Sequence, residues 1–253
     1  MRYMATGDSD VGLVKETNQD SLIIRHAMAP QGEVLMAVVC DGLGGLDSGE
    51  LASATVVKAF ADWFESELPY ELENPDVQVI GAKWSLMLKE LNMKIGEKAA
   101  EKRSSIGTTF TGILFLDNKY VFAHVGDTRI YFIDDGITQL TEDQTFIARE
   151  IRNGRMTPEQ AKTDKRRNVL LQCVGASKSI EPQVEFGDVQ QGVYLLCSDG
   201  FRHEITEQEI QKALKPVNMV NKAVMHSTAK QLIDLNKSRK EKDNISVLLI
   251  KAE

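Results

Sequence analysis

Most of the signatures that sort proteins into specialised classes are missing from this 253-residue sequence. It has three cysteines, Cys40, Cys173 and Cys197, without paired short spacing, which excludes a disulfide framework and the usual zinc-ligand patterns. Two of them lie inside apolar runs, where buried reduced thiols are expected. None is followed at phosphatase-loop spacing by arginine, since those positions hold Leu46, Ser179 and His203; a thiolate mechanism is therefore excluded. Nucleotide loops fail as well. From Gly42 the Gly-x-Gly-x-x-Gly spacing ends on Asp47, and from Gly44 the P-loop spacing reaches Gly49 but then Glu50 in place of lysine. No apolar run approaches membrane-span length, and the N-terminus lacks a signal-peptide pattern, so a cytoplasmic protein without membrane partners is expected. Basic excess is lacking too. With 30 Lys and Arg against 37 Asp and Glu, a net charge of -7 argues against nucleic-acid binding and suits a protein that gathers cations. No Pro/Gly/Ser-rich linker divides the chain, so residues 1–253 are read as one domain.

What is present is a set of apolar runs that stop at aspartates. Leu35 to Cys40 is continuously apolar, predicts a strand covered on both faces, and ends at Asp41-Gly42-Leu43-Gly44-Gly45. Tyr120 to Val125 stops at Gly126-Asp127, and Val193 to Cys197 stops at Ser198-Asp199-Gly200. In the last strand, Ile245 to Ile250, the acid comes first, in Asp243-Asn244. Asp20 precedes the short apolar stretch Leu22 to Ile24.

Helical spacing of Ala52, Val56, Phe60, Trp63 and Phe64 predicts a helix capped near Asp47-Ser48 and ending about Leu68. A loop over Pro69 to Pro75 and a second helix follow, the latter with its stripe at Trp84, Leu88, Leu91, Ile95 and Ala99. Both stripes are core faces. Gly107 to Phe115 reads as a strand, Asp117-Asn118 as a hairpin turn, and His124 as a satisfied core histidine. Residues 141–172 are polar and irregular, which predicts a surface excursion with a short helix or two beside the site. Thr206 to Glu209 fits a capping box, and a further helix is expected over Val217 to Leu235.

Antiparallel neighbours bring one strand's end beside another's beginning, so Asp20, Asp41, Asp127, Asp199 and Asp243 can meet. Gathered carboxylates repel unless cations neutralise them. An all-oxygen set without His or Cys at ligand spacing points to Mn²⁺ or Mg²⁺. Two such ions a few ångströms apart activate a water and clamp a phosphoryl group, so phosphate-ester hydrolysis is the expected chemistry.

In order, Asn18-Gln19-Asp20, Asp41 to Gly45, Gly107-Thr108-Thr109, Gly126-Asp127-Thr128-Arg129, Ser198-Asp199-Gly200 and Asp243-Asn244 resemble the metal-dependent type 2C protein Ser/Thr phosphatases (PPM family) in their compact bacterial form. The resemblance implies an α+β fold: a four-layer α-β-β-α sandwich of two antiparallel sheets flanked by helix pairs. It also implies a monomer acting on phosphoproteins that are targets of a Ser/Thr kinase. By position, Asp41 would bridge two metals, with Asp199 and Asp243 completing the first and the Gly42 carbonyl and Asp20 serving the second. Asp127, with Asp199, would hold a third and weaker one. Asn244 would support the ligands, Lys15 would bind the substrate phosphate, and residues 141–172 would be the variable flap. The chain departs from the family pattern at four places. Lys15 replaces an arginine, Gln19 a glutamate, Leu43 a histidine found in many eukaryotic members, and Lys240-Glu241-Lys242 the usual glycines. Two rival functions stay open, a non-catalytic phosphoprotein-binding module on the same scaffold and an esterase for small phosphates.

Overall fold

A computed structural model describes residues 1–44, 48–101 and 106–253. Gly45 and the predicted cap residue Asp47 lie outside the described residues. The N-terminal half contains strands β1 (Tyr3–Asp10), β2 (Ser21–Ala29), β3 (Gly32–Cys40) and β4 (Gly42–Gly44), then helices α1 (Ser48–Ser66), α2 (Leu68–Glu71) and α3 (Val77–Glu101). Strands β5 (Ile106–Thr108), β6 (Phe110–Leu116), β7 (Lys119–Val125), β8 (Arg129–Ile133) and β9 (Ile137–Gln139) lead to helices α4 (Phe146–Arg152) and α5 (Pro158–Ala161). The chain closes with β10 (Gln183–Asp188), β11 (Gly192–Cys197), α6 (Asp199–Arg202), α7 (Glu207–Ala213), α8 (Lys222–Ser238) and β12 (Ile245–Ala252).

Two five-stranded sheets result, ordered β1-β12-β11-β8-β9 and β10-β7-β6-β3-β2, with every pairing antiparallel. Continuous apolar runs follow directly from the layering. Successive side chains of a strand point to opposite faces, and here both faces are covered. In β3, Val34, Met36 and Val38 face α1 and α3, packing with Phe60, Trp63 and Trp84. Leu35, Ala37 and Val39 face the other sheet, against Tyr194, Leu196 and Leu248. In β11, Val193, Leu195 and Cys197 join the third core, under Ile210 of α7 and Met225, Ala229 and Leu232 of α8. Three apolar layers between four layers of structure make the fold an α+β sandwich of two antiparallel sheets flanked by helices. Aromatic edges contribute to the first core: Trp84 meets Phe60 and Trp63 edge-on, at ring separations of 5.1 and 5.5 Å.

Several local expectations need adjusting. The helix predicted over Val217 to Leu235 starts at Lys222, because Asn221 caps it by accepting from the Val224 N–H. Pro69 sits in the first turn of α2 instead of a loop, a position where its missing N–H costs nothing. The edge strand β10 carries too little apolar alternation to be seen in sequence, and its pairing with β7 supplies what its composition does not. Asp199 opens the short helix α6 instead of a simple turn. The Thr206 capping box, the two core helices and the short helices within residues 141–172 are as expected. His124 is buried, with its ring nitrogens 2.8 Å from Thr111 Oγ1 and 3.2 Å from the Glu142 carbonyl. All three cysteines are buried and unpaired. Among the described residues no helix is long and apolar enough to cross a membrane.

Candidate metal centre

Register brings the aspartates to one end of the sandwich. In the first sheet Cys197 of β11 lies opposite Val247 of β12 and Arg129 of β8, so Asp199, Asp243 and Asp127 are gathered by three adjacent strands. In the second sheet Cys40 pairs with Ser21, which sets Asp41 beside Asp20.

Backbone contacts hold the site together. The Asp41 N–H donates to Thr109 Oγ1 at 2.8 Å, and its carbonyl accepts from the Thr109 N–H at 2.8 Å and the Thr108 hydroxyl at 2.9 Å. The Gly42 N–H donates to the Gln19 carbonyl at 3.1 Å, tying the two strand ends together. A β-carbon at Gly42 would stand 2.3 Å from the Gly49 carbonyl oxygen, so only glycine admits helix α1 this close. Asn244 braces the opposite side. Its amide nitrogen donates to the carbonyls of Val11 and Thr17, at 2.9 and 3.1 Å, and its amide oxygen accepts from the Gln19 N–H at 2.9 Å. Residues 11–19, which carry Lys15, are thereby fastened to the start of β12. Gly12 completes the seam with φ +80, where a β-carbon would stand 2.2 Å from the Asp243 carbonyl oxygen. Gly12→Ala is expected to displace Asp243, lowering stability by about 1–3 kcal/mol, the scale of backbone strain at such a position. Thermal melting together with Mn²⁺ titration checks both consequences; an unchanged melt and unchanged uptake would remove the seam from the site.

Electrostatics mark the cluster as unusual. Burial first, and Asp199 and Asp243 second, push the Asp20 carboxyl up to about 7; the Ser198 and Ser246 hydroxyls oppose this without completing a hydrogen bond. Burial also raises Asp41 well above the carboxylate range, with Asp20, Asp199, Asp127 and Asp243 adding repulsion. Asp127 rises to about 7, again chiefly from burial and then from Asp199. Cations of the chain hold some of the acids apart. Lys15 Nζ lies 2.7 Å from Asp243, and His203 sits between Asp199 and Glu241 at 3.3 Å from each. Burial opposes charge on that imidazole, but the two flanking carboxylates prevail and raise its pKa.

Among the described residues no three His, Cys, Asp or Glu side chains close into a finished metal cage. The donor set nevertheless fits a hard divalent cation. Asp20 Oδ1, Asp20 Oδ2 and Asp199 Oδ1 are buried without a hydrogen-bond partner. Such oxygens are costly to bury unpaired, and Mn²⁺ or Mg²⁺ takes oxygens of this kind.

A cavity of about 940 Å³ opens at this end. Lys15, Asp127 and Asp243 line it, and so do Ile147, Ala161 and Arg167 from the segment 141–172. Lys15, expected to meet a substrate phosphate, is thus on the cavity wall with its ammonium on Asp243.

Sequence reading overlooked a second charged group beside Asp127. Arg129 makes a bidentate pair with Asp143, with both contacts at 2.7 Å, and this outweighs burial to hold the Asp143 carboxyl below its ordinary range. Arg202 Nη2 donates to the Asp127 carbonyl at 3.0 Å and lies 3.8 Å from a carboxylate oxygen of both Asp127 and Asp143. The available signal was the pair Arg202-His203, one helical turn beyond Asp199.

The sequence profile of the protein phosphatase 2C family matches residues 13–238. The serine/threonine protein phosphatase PstP of Mycobacterium tuberculosis is 31% identical over 251 residues, covering 98% of this chain and 44% of PstP, so the chain spans less than half of that relative. A serine/threonine phosphatase structure from S. agalactiae is similar over 100% of both chains, with TM-score 0.87 and 25% identity. The catalytic domain of PstP, solved in complex with two manganese ions, is similar over 98% of this chain and 97% of that one, with TM-score 0.80 and 28% identity. Motif order, strand register and these likenesses agree: the chain belongs to the protein phosphatase 2C family.

Proposed function

We propose that the protein hydrolyses phosphoserine and phosphothreonine in other proteins, using two Mn²⁺ or Mg²⁺ ions held at the acidic end of the sandwich. One observation carries this reading: carboxylates from both sheets converge, with Asp127, Asp199 and Asp243 on a cavity wall and Asp20 and Asp41 close to them, while buried oxygens of Asp20 and Asp199 go unpaired. The named activity of the relatives and the two manganese ions in the PstP catalytic domain support it. Asp41 would be the ligand shared by both ions, Asp199 and Asp243 would hold one, and the Gly42 carbonyl and Asp20 would serve the other. When bound, the ions supply the positive charge that acidifies a water and neutralises the phosphoryl oxygens.

The chain's own residues do the rest. Lys15, whose ammonium rests on Asp243 at the cavity wall, would bind the substrate phosphate, offering a point charge where an arginine would offer a fork. Leu43 carries no proton, so the leaving serine or threonine oxygen takes its proton from water. Residues 1–253 act as one catalytic unit in which 141–172 forms the cavity wall that meets the peptide around the phosphate.

Assays on phosphopeptides, small phosphomonoesters and phosphodiesters, with Mn²⁺ and with chelator, test the reading. Mn²⁺-dependent release of phosphate from phosphopeptides is expected, with kcat/KM above that for small esters. Faster turnover of small esters would make the chain a small-molecule esterase, and binding of phosphopeptides without turnover would make it a binding module.

A further inference from the structure

We propose that Arg202 supplies from the chain itself the positive charge at the Asp127 corner, so that this protein binds two divalent cations and has no third site between Asp127 and Asp199. The inference rests on the two-ion reading above and departs from the third metal that the family resemblance implies.

The geometry is that of an internal cation. Arg202 is the last residue of α6, and its side chain is 16% exposed. Its Nη2 is pinned between the Asp127 carbonyl at 3.0 Å, Asp127 Oδ2 at 3.8 Å and Asp143 Oδ2 at 3.8 Å. Asp143 cannot leave to serve a metal, because Arg129 holds both of its oxygens. The corner therefore contains three carboxylates, Asp127, Asp143 and Asp199, and two guanidiniums, Arg129 and Arg202, with His203 on the far side of Asp199. With Glu207 3.7 Å from Arg129 and Glu241 on His203 the corner stays acidic, but its two guanidiniums offset much of that charge before any ion arrives. The other corner differs: beside Asp20, Asp41 and Asp243 stands Lys15, an ammonium on a flexible stem, 2.7 Å from Asp243.

An ion bonded to Asp127 Oδ2 at about 2.1 Å would lie at most about 6 Å from Arg202 Nη2. Repulsion between a divalent ion and a largely buried guanidinium at that range is screened less by salt and solvent than repulsion between exposed charges. Movement of Arg202 to make room would strand the Asp127 carbonyl and leave Asp143 with one cation fewer. Arg202 also fixes Asp127 in place at every metal concentration, whereas a weak third ion would do so only when abundant.

The test is Mn²⁺ stoichiometry of the full chain by isothermal titration calorimetry and equilibrium dialysis after chelation. Wild type is expected to bind two ions. Arg202→Met, neutral and of similar length, is expected to gain a third, weaker site, while Arg202→Lys stays at two. Asp127→Asn should leave both the count and the affinities of the wild type within about threefold, since Asp127 is no metal ligand here, and it keeps the inference testable if Arg202→Met does not fold. A third ion in the wild type, a folded Arg202→Met that still binds two, or loss of a site in Asp127→Asn would each overturn the inference. Failure of the wild type to bind any Mn²⁺ would overturn it together with the two-ion reading, whereas three ions with phosphopeptide turnover intact would sink the Arg202 assignment alone.

Discussion

Asp41→Asn is expected to cut Mn²⁺-dependent phosphopeptide turnover by about a hundred- to a thousandfold, the scale of losing one preorganised charge-stabilising group, while leaving the protein folded. The fold is spared because the bonds that anchor Asp41 run through its N–H and carbonyl to Thr108 and Thr109, and asparagine keeps both. Without cations the substitution should even stabilise the chain, since it removes a carboxyl whose ionisation is opposed by burial and by the neighbouring acids. With cations it removes the one carboxylate assigned to both ions, so their affinity and the charge that meets the phosphoryl group fall together. Melting temperature in chelator, Mn²⁺ uptake and turnover separate these effects. Near-normal turnover with Mn²⁺ would sink the shared-ligand assignment.

Chelator-treated protein is expected to lose thermal stability as pH rises from about 4 to about 7, with Mn²⁺ removing the part of that loss that comes from Asp20 and Asp41 and leaving the part that comes from Asp127. Asp20 and Asp127 sit at about 7 in the folded chain, mainly because burial disfavours their charged forms, against an ordinary value of 3.8. Below that value folded and unfolded chains are both protonated and no penalty exists. Between the two values the folded chain holds protons that the unfolded chain has released, so raising the pH favours unfolding, and the penalty is complete above about 7. Asp41 acts in the same direction. For a chain of this length the fall in Tm should be of order 10 °C. Divalent cations reverse the Asp20 and Asp41 share by binding only the folded, ionised ligands. Calorimetric melts across this range, with chelator and with Mn²⁺, provide the measurement; a flat or rising Tm in chelator would contradict the repulsion.

How much could be read beforehand depended on how local the cause was. The α1 and α3 stripes, the Thr206 capping box and the Asp117-Asn118 turn are written within a few residues each, and the structure contains them. The start of α8 is hidden in the sequence because Val217 and Val220, apolar but exposed, extend the helical pattern past the Asn221 cap. Strand β10 escaped notice because an edge strand is specified mainly by its partner, and half of its side chains face solvent.

By itself the sequence determined the composition of the site: aspartates at the ends of runs apolar enough to be covered on both faces, with glycines where backbones must touch. Continuous apolar runs along β3, β11 and β12 required two covering layers each, and that requirement is the sandwich. Only the tertiary structure decided which cations those aspartates meet. Lys15 on Asp243, His203 between Asp199 and Glu241, and Arg202 on Asp127 all join side chains distant in sequence or brought together by a turn of helix. The physical reason is that charge pairing depends on distance through space and on burial, neither of which is encoded in spacing along the chain.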